Sequence, residues 1–249
     1  MAWLELFTLA ILPAFLLIDL VLPRPGARSL WSWRLRAAAV TAVNFVLSLG
    51  IGHGFAMLFD GASLLDGRAL GTWGGAAVGV VVYEFFHYWY HRAAHRFDTL
   101  WRLGHQMHHS AESLDPWGAY FLHPLDAAIF LSMSSLVLFP LLGLEPLAAA
   151  CATAFLTFLS VFQHARLRTP RSLGWFVQRP ESHAVHHARG VHEWNYADLP
   201  LWDLVFGTCR NPRTHDVPEQ GFYEGASARL MDMLAFRDVS QPARREGRL

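Results

Sequence analysis

Lysine is absent from this 249-residue chain, and charged residues of every kind make up only 16% of it. Hydrophobic residues make up 53%, and the mean hydropathy is +0.23. A sequence this apolar excludes an ordinary soluble enzyme and is typical of a membrane protein. The basic and acidic residues balance to a formal net charge of zero, so no nucleic-acid partner is indicated.

Cysteine is nearly absent as well. Only Cys151 and Cys209 are present, one within an apolar run and one in a polar segment. Two thiols placed in this way form neither a disulfide framework nor a thiolate metal site. Any metal that this chain binds must therefore be held by imidazole or oxygen ligands.

Long apolar runs, in contrast, are abundant. A bilayer core is crossed by roughly 20 helical residues, and five runs approach this length. They cover residues 3–22, 37–59, 70–90, 127–144 and 146–162. No basic residue precedes the first run, so it lacks the flank of a cleaved signal peptide and is expected to stay as an anchor. The last two runs are short, and the sequence therefore predicts an all-α, multi-pass transmembrane helical bundle with four or five spans.

The arginines predict the orientation of this bundle, because positively charged loops tend to stay in the cytoplasm. Arginines cluster after the first, third and fifth runs, whereas segments 60–69 and 143–146 contain only Arg68 between them. These two segments are predicted to lie outside, which puts every dense histidine segment on the cytoplasmic side. The exclusive use of arginine is typical of GC-rich bacterial genomes, so we expect the bacterial cytoplasmic (inner) membrane.

The chain becomes more polar from Pro180 onward. We expect residues 1–210 to form a membrane-embedded domain with a cytosolic helical cap that bears a histidine-rich dimetal site. Residues 211–249 are expected to form a peripheral C-terminal tail. Within it, residues 228–237 fit a short amphipathic helix on the membrane surface.

Histidine is in excess, with 14 copies that fall mostly in short repeats. His87, His91 and His95 recur every four residues and share a helical face with Glu84, although this stretch also fits an aromatic belt at the membrane surface. The motifs HQMHH and HAVHH then repeat one spacing. Their members are His105, His108 and His109, and His183, His186 and His187. So many neighbouring imidazoles are costly to bury without a metal, and the pattern predicts a shared metal site.

The remaining histidines are less specific. His123 and His164 lie at the predicted cytoplasmic ends of apolar runs and are candidate ligands, although a lone histidine there is often a helix cap. His192 is a ligand, a support for a ligand or a surface residue. His53 and His215 are expected to be structural.

The ligand types narrow the chemistry without choosing the metal. A zinc hydrolase of the HExxH type needs a glutamate where HRAAH has Arg92. The histidines outnumber what one ion can use and fit two ions, but iron, copper and zinc all accept imidazole. A site at the mouth of a helical bundle suits oxidation of inert C–H bonds in a lipid with O2.

The motifs resemble those of the fatty acid hydroxylase and sterol desaturase superfamily. In chain order they read HRAAH, LWRLGHQMHHSAE, HPLD, QHA, HAVHH and NYADLPLWDLVFGT, over about residues 80–210. The resemblance implies an integral-membrane, non-haem di-iron enzyme that uses O2 to hydroxylate or desaturate a sterol, a fatty acyl chain or a related membrane lipid. It implies two iron ions as cofactor, which zinc can replace in purified protein.

The same resemblance implies which residues bind the metals. They are His91, His95, His105, His108, His109, His164, His183, His186 and His187. Additional ligands or supports come from a second set: Glu84, His87, His123, His192, Asn195 and Asp203, with Trp202, Gly207 and Thr208 in the family's WD-x-x-x-GT signature. No HPGG segment of a fused cytochrome b5 domain is present, so a separate ferredoxin, cytochrome b5-like protein or reductase is expected to supply electrons.

Several positions depart from the family pattern. His87 stands where an uncharged aromatic is expected, and Ala197 replaces a glycine. His164 is followed by Ala165 and Arg166 rather than by further histidines. Two alternatives to a lipid oxygenase stay open: a zinc-dependent membrane hydrolase or lipid-cleaving enzyme, and a metal carrier or transporter with polar ligands near mid-bilayer.

Overall fold

The computed structural model describes residues 2–22, 31–59, 61–191, 193–214 and 218–242. Within these ranges the fold is helical, with one isolated antiparallel bridge between Ala188 and Gln220. The α-helices are α1 (Ala2–Val21), α2 (Trp31–Phe59), α3 (Gly71–Arg96), α4 (Asp98–Leu100), α5 (Gln106–His109), α6 (Pro124–Leu136), α7 (Pro146–Gln163), α8 (Pro180–His186), α9 (Pro200–Val205) and α10 (Leu230–Leu234). Two π-helical turns, Trp101–His105 and Val137–Leu141, precede α5 and follow α6.

In the described part of the chain, five helical segments are long and apolar enough to cross a membrane. They are Ala2–Val21, Trp31–Phe59, Gly67–Arg96, Pro124–Leu141 and Pro146–Gln163. The prediction of an all-α, multi-pass bundle is thus confirmed, with the larger of the two expected span counts. α3 continues past residue 90, where the predicted run ends, because no helix-breaking residue interrupts the HRAAHR stretch.

The two arginine-poor segments lie together at one end of the bundle. Leu64, Leu65 and Gly67 donate backbone hydrogen bonds of 2.7 to 3.1 Å to the carbonyls of residues 140–142. α3 begins at this end and reaches His91 after about 20 residues, a rise of about 30 Å. The clustered histidines are therefore at the other end of the bundle, where residues 97–123, 164–191 and 193–210 form a cap, as the term is used below.

Small residues bring α3 and α7 close together. A Cβ added at Gly75 would lie 3.0 Å from Ala148 Cβ, and one added at Gly79 would lie 3.6 Å from Ala152 Cβ. Ala148 and Ala152 of α7 are fully buried in the same cluster. Close approach of this kind holds membrane helices together, because lipid supplies no hydrophobic force between them. α3 has histidines at its cap end, and His164 directly follows the last residue of α7.

The C-terminal segment packs against the cap. Met233 and Val239 are fully buried in one cluster with Met107. The backbone N–H of Val239 also donates to Gln106 Oε1 at 3.1 Å. Within residues 228–237 the structure has a short helix, α10, and its Met233 packs inside the protein.

Asn44 attaches α2 to the segment that leads into α6. Its Nδ2 donates to the backbone carbonyls of Tyr120 and Leu122 at 3.2 and 3.0 Å. The side chain is buried, so these carbonyls depend on it rather than on water.

We predict that Asn44→Ala lowers the free energy of unfolding by about 1 kcal/mol, because it leaves two buried carbonyls without this donor. Thermal unfolding in mild detergent measures the effect. Ser48→Ala is the matched control, since Ser48 is on the same helix and its hydroxyl bonds only the carbonyl of Phe45 at an exposed position. Equal melting temperatures for the two variants would contradict the prediction.

Candidate metal centre

Nine histidines of the cap end converge in two groups. Site A contains His91, His95, His105, His109 and His186, and site B contains His108, His164, His183 and His187. Within each group, one ligand atom from every member lies within 4.8 Å of the others. The two sites are adjacent, because the rings of His109 and His187 stack with centroids 4.2 Å apart.

The repeated HxxHH spacing supplies both sites at once. The first and last histidines of each motif are one helical turn apart and share a site, whereas the middle one is turned by about 100° and enters the other. In HQMHH, His105 and His109 belong to site A and His108 belongs to site B. In HAVHH, His183 and His187 belong to site B and His186 belongs to site A. The chain needs both motifs because each supplies two histidines to one site and its third histidine to the other site.

A π-helical turn sets the direction of His105. The backbone N–H of Gln106 donates to the carbonyl of Trp101, five residues earlier, as in a π-helix. Gly104 allows α6 to approach this turn, since a Cβ there would lie 2.7 Å from Asp126 Cβ. Asp126 Oδ2 then lies 2.9 Å from His105 Nδ1.

The Nδ1 atoms of several imidazoles are engaged by acceptors outside the sites. Those of His91 and His186 lie 2.6 and 2.8 Å from the carbonyls of Tyr196 and Trp194. His164 Nδ1 lies 2.7 Å from the carbonyl of its own helix at Ser160. A neutral imidazole that donates through Nδ1 presents a lone pair at Nε2, which is the form that binds a metal.

The burial and spacing of the Nε2 atoms are suited to metal binding. Those of His91, His105 and His109 are buried and have no hydrogen-bond partner among the described residues. In site B, the Nε2 atoms of His108 and His183 each lie 3.2 Å from that of His164. Nitrogen lone pairs that face one another in a buried space repel unless a proton or a cation lies between them.

Electrostatics favours the neutral, metal-binding form. Burial, reinforced by neighbouring imidazoles, lowers the pKa of His108, His109, His183 and His187 well below its usual range. Burial also lowers the pKa of His164 to about 4. These side chains are therefore uncharged near neutral pH, as imidazole ligands must be.

Comparison with known proteins decides the family. A family model described as fatty acid hydroxylase matches residues 76–208, more than half of the chain. The chain belongs to the fatty acid hydroxylase family. The matched range begins in α3 and ends at Thr208, so it contains every member of sites A and B.

Curated relatives of this fatty acid hydroxylase family member include lipid-modifying enzymes. An alkylglycerol monooxygenase of Homo sapiens is 32% identical over 142 residues, which are 55% of this chain and 30% of the relative. An ornithine lipid hydroxylase of Rhizobium tropici is 29% identical over 69% of this chain and 51% of its own length. Sphinganine C4-monooxygenase 1 of Arabidopsis thaliana is 25% identical over 58% and 57%. The chain thus spans between 30% and 57% of the length of these relatives, and no solved structure is significantly similar to it.

A strained segment before α9 supports site A of this family member. Trp194 and Asn195 have φ of 73° and 54°, in the left-handed region that few non-glycine residues adopt. The segment presents the carbonyls that His91 and His186 contact. Asn195 Nδ2 donates to the carbonyls of Ser182 and Arg210, which ties the segment to α8.

Asp203 also holds the segment before α9 in place. Its carboxylate accepts from the backbone N–H of Tyr196 and of Ala197, each at 2.9 Å, and from Thr208 Oγ1. Trp202 Nε1 donates to the carbonyl of Val81 in α3. Asn195 and Asp203 therefore hold the backbone around site A and belong to neither histidine group.

Three predicted residues lie away from sites A and B. His123 is the N-cap of α6, where its Nδ1 accepts from the backbone N–H of Leu125. Glu84 and His87 form a separate buried group with Asp198, whose pKa is raised by burial and by the adjacent Glu84 carboxylate. Glu84, His87 and His123 were predicted as possible further ligands or as supports of ligands, and they lie outside both histidine groups. His192 and His215 lie outside the described residues.

Two contributors were missed by the sequence patterns. Asp126, the last residue of the HPLD motif, and the Tyr196 carbonyl contact site A, yet no such contact was predicted for either. Asp126 had a recognisable signal, because a carboxylate at the start of an apolar run is costly unless it has a partner. A backbone carbonyl leaves no such signal. His53, in contrast, is exposed on α2, as a histidine outside the site would be.

We predict that Asp126→Asn weakens metal binding about 10- to 100-fold, because His105 loses the carboxylate that holds its ring. Competition with a chelator of known affinity measures the loss. Asp98→Asn serves as the control, since Asp98 forms only an exposed pair with Arg102. The prediction is wrong if the two variants retain metal equally.

We also predict that the metal-free protein loses stability as the pH falls below about 6.5. The folded state holds the pKa of His109, His183 and His187 below the unfolded value, so acid protonates the unfolded chain first and favours it. Thermal unfolding of chelator-treated protein between about pH 8 and pH 5 tests this. His53→Asn should leave the pH dependence unchanged, and a melting temperature independent of pH would count against the assignment.

Proposed function

We propose that this protein is an O2-dependent, non-haem di-iron oxidoreductase that hydroxylates or desaturates a membrane lipid. The observation that supports this best is the pair of adjacent histidine sites, whose buried, neutral imidazoles could hold one ion each. The nine ligands proposed are the members of sites A and B. None of the relatives named above is described as a hydrolase, so we set the zinc-dependent hydrolase aside as the alternative.

Iron bound at both sites would supply the redox chemistry that lets O2 oxidise a C–H bond. The chain's own residues prepare this chemistry. The carbonyls of Tyr196 and Trp194 and the carboxylate of Asp126 fix three rings of site A, so that their Nε2 atoms point to a common place. Burial excludes water from these rings and keeps site B uncharged.

An apolar groove supports a lipid substrate. Its volume is about 720 Å³, and it lies between α3 and α6. Side chains that line it include Phe86, Leu125, Ile129, Met133 and Leu136. Leu125 precedes Asp126 on α6, so one end of the groove is near the carboxylate that holds His105. The relatives act, by their names, on alkylglycerols, ornithine lipids and sphinganine, and we propose a lipid of this broad class.

A second cavity reaches site A from the cap. It measures about 940 Å³ and is lined by Arg92, His95, Trp194, Tyr196 and further residues of α3. It offers a polar route to His95 that is separate from the apolar groove. We assign it to the access of small reactants such as O2, with electrons from a separate ferredoxin, cytochrome b5-like protein or reductase.

The proposed location is the bacterial cytoplasmic membrane, with the histidine sites facing the cytoplasm. Arginine supports this orientation, because the end opposite the histidines contains only Arg68 in its loops. Residues 1–210 are proposed as the membrane-embedded catalytic unit. Residues 211–249 are proposed as a tail that packs on the cap through Met233 and Val239.

Metal and product analysis of the same preparation tests the function. Protein purified in mild detergent from iron-supplemented cells is expected to contain two iron ions per chain, seen as a coupled pair by Mössbauer spectroscopy. With a reductant, O2 and membrane lipids, mass spectrometry should find a lipid that has gained one oxygen or lost two hydrogens. His105→Ala should abolish the product, whereas His53→Ala should not.

The alternative function, a zinc-dependent hydrolase, predicts a different metal content and no requirement for O2. A zinc-dependent hydrolase would retain zinc after anaerobic reconstitution with iron and would act on lipids without O2. Cleaved lipid formed anaerobically by zinc-loaded protein would overturn the oxygenase proposal.

A further inference from the structure

We propose that Glu84, His87 and Asp198 form a third cation site, which binds a divalent transition-metal ion such as Mn²⁺ or Zn²⁺. One ligand atom from each of the three lies within 4.8 Å of the other two. The site does not depend on the proposed lipid oxidation, because it shares no residue with site A or site B. We call it site C.

The geometry of site C combines two structural elements. Glu84 and His87 are three residues apart on one face of α3, and Asp198 belongs to the segment that precedes α9. His87 Nδ1 lies 3.7 Å from Glu84 Oε2, too far for a hydrogen bond and near enough for both to reach one ion. The site lies one helical turn from site A, with the rings of His87 and His91 stacked at 5.6 Å.

Unpartnered atoms point into site C. Glu84 is 0% exposed, and its Oε1 has no hydrogen-bond partner among the described residues. His87 is 8% exposed, and its Nδ1 is likewise without a hydrogen-bond partner in the described part of the chain. Buried polar atoms are nearly always satisfied in native proteins, so two in one cluster require an explanation. A cation bound between them would satisfy both.

Charge supports the same conclusion. Two carboxylates buried side by side repel each other and need a compensating positive charge. The hydrogen-bond partners that they do have are neutral. Gln163 Nε2 donates to Asp198 Oδ1 at 2.7 Å, and the backbone N–H groups of Asp198 and Leu199 donate to Glu84 Oε2. Carboxylate oxygens with one imidazole are a mixed ligand set that suits manganese or zinc.

A purely structural role explains only part of this arrangement. Glu84 Oε2 already anchors the segment before α9 to α3 through its two backbone hydrogen bonds. That role uses one oxygen and needs neither Asp198 as a carboxylate nor a histidine at position 87. The rival explanation is a protonated His87 that neutralises the carboxylates without a metal, and metal analysis separates the two.

The test compares the metal content of full-length protein in mild detergent. Inductively coupled plasma mass spectrometry would measure manganese, iron and zinc per chain in wild type, His87→Phe and Asp198→Asn. Phe keeps the ring that packs against Phe130 and His91, and Asn keeps the oxygen that accepts from Gln163. His53→Phe is the matched control, because it removes an exposed histidine from another membrane helix.

We expect each site C variant to contain about one metal ion fewer per chain than wild type and than the control, with iron at sites A and B retained. Equal metal content in all four proteins would overturn the proposal and favour the protonated histidine. Loss of iron together with the third ion would also overturn it, since site C would then be a support for site A. Thermal unfolding identifies a variant that fails to fold, in which case the other one decides.

Manganese provides a test on wild type alone. Iron-loaded protein would be titrated with Mn²⁺ and followed by electron paramagnetic resonance. One tightly bound Mn²⁺ per chain without release of iron supports site C. No binding, or binding only with displacement of iron, contradicts it.

Discussion

The constraint on which the structure depends is the desolvation of eight buried imidazoles and the half-buried His95 at one end of a membrane bundle. A buried imidazole must remain uncharged, must place its N–H on an acceptor and must direct its lone pair to a useful partner. The fold meets the second condition with particular groups: the carbonyls of Tyr196, Trp194 and Ser160 and the carboxylate of Asp126. The free lone pairs then converge in two sites, and metal ions are the partners that fit.

The membrane helices supply the rigidity that this convergence needs. α3 and α7 pack through Gly79, Ala148 and Ala152, which fixes the distance between the helix ends that bear His91 and His164. The cap adds the other ligands on short helices that could not hold a position alone, because helices of one or two turns are unstable without tertiary contacts. Asn195 connects the segment before α9 to α8, and Trp202 connects α9 to α3 through the carbonyl of Val81.

The arrangement separates three environments around the metal centre. An apolar groove approaches from the membrane side, and a polar cavity approaches His95 from the cap. Site C lies beneath site A on α3 and concentrates negative charge where the helix enters the bundle. Such a division would suit the proposed enzyme, which would receive a lipid from one side and small reactants such as O2 from the other.

The sequence by itself determined the helical class and the apolar segments, and it predicted nine histidines as metal ligands, because apolar length and the spacing of HRAAH, HQMHH and HAVHH are local properties of a helix. Only the tertiary structure decided how these histidines divide into two sites, since the rotation of His108 and His186 matters only once facing helices are in place. It also placed His123 at the N-cap of α6 and grouped Glu84 and His87 with Asp198. Asp126 and the Tyr196 carbonyl could not be found from spacing, because contacts between residues distant in the chain depend on packing.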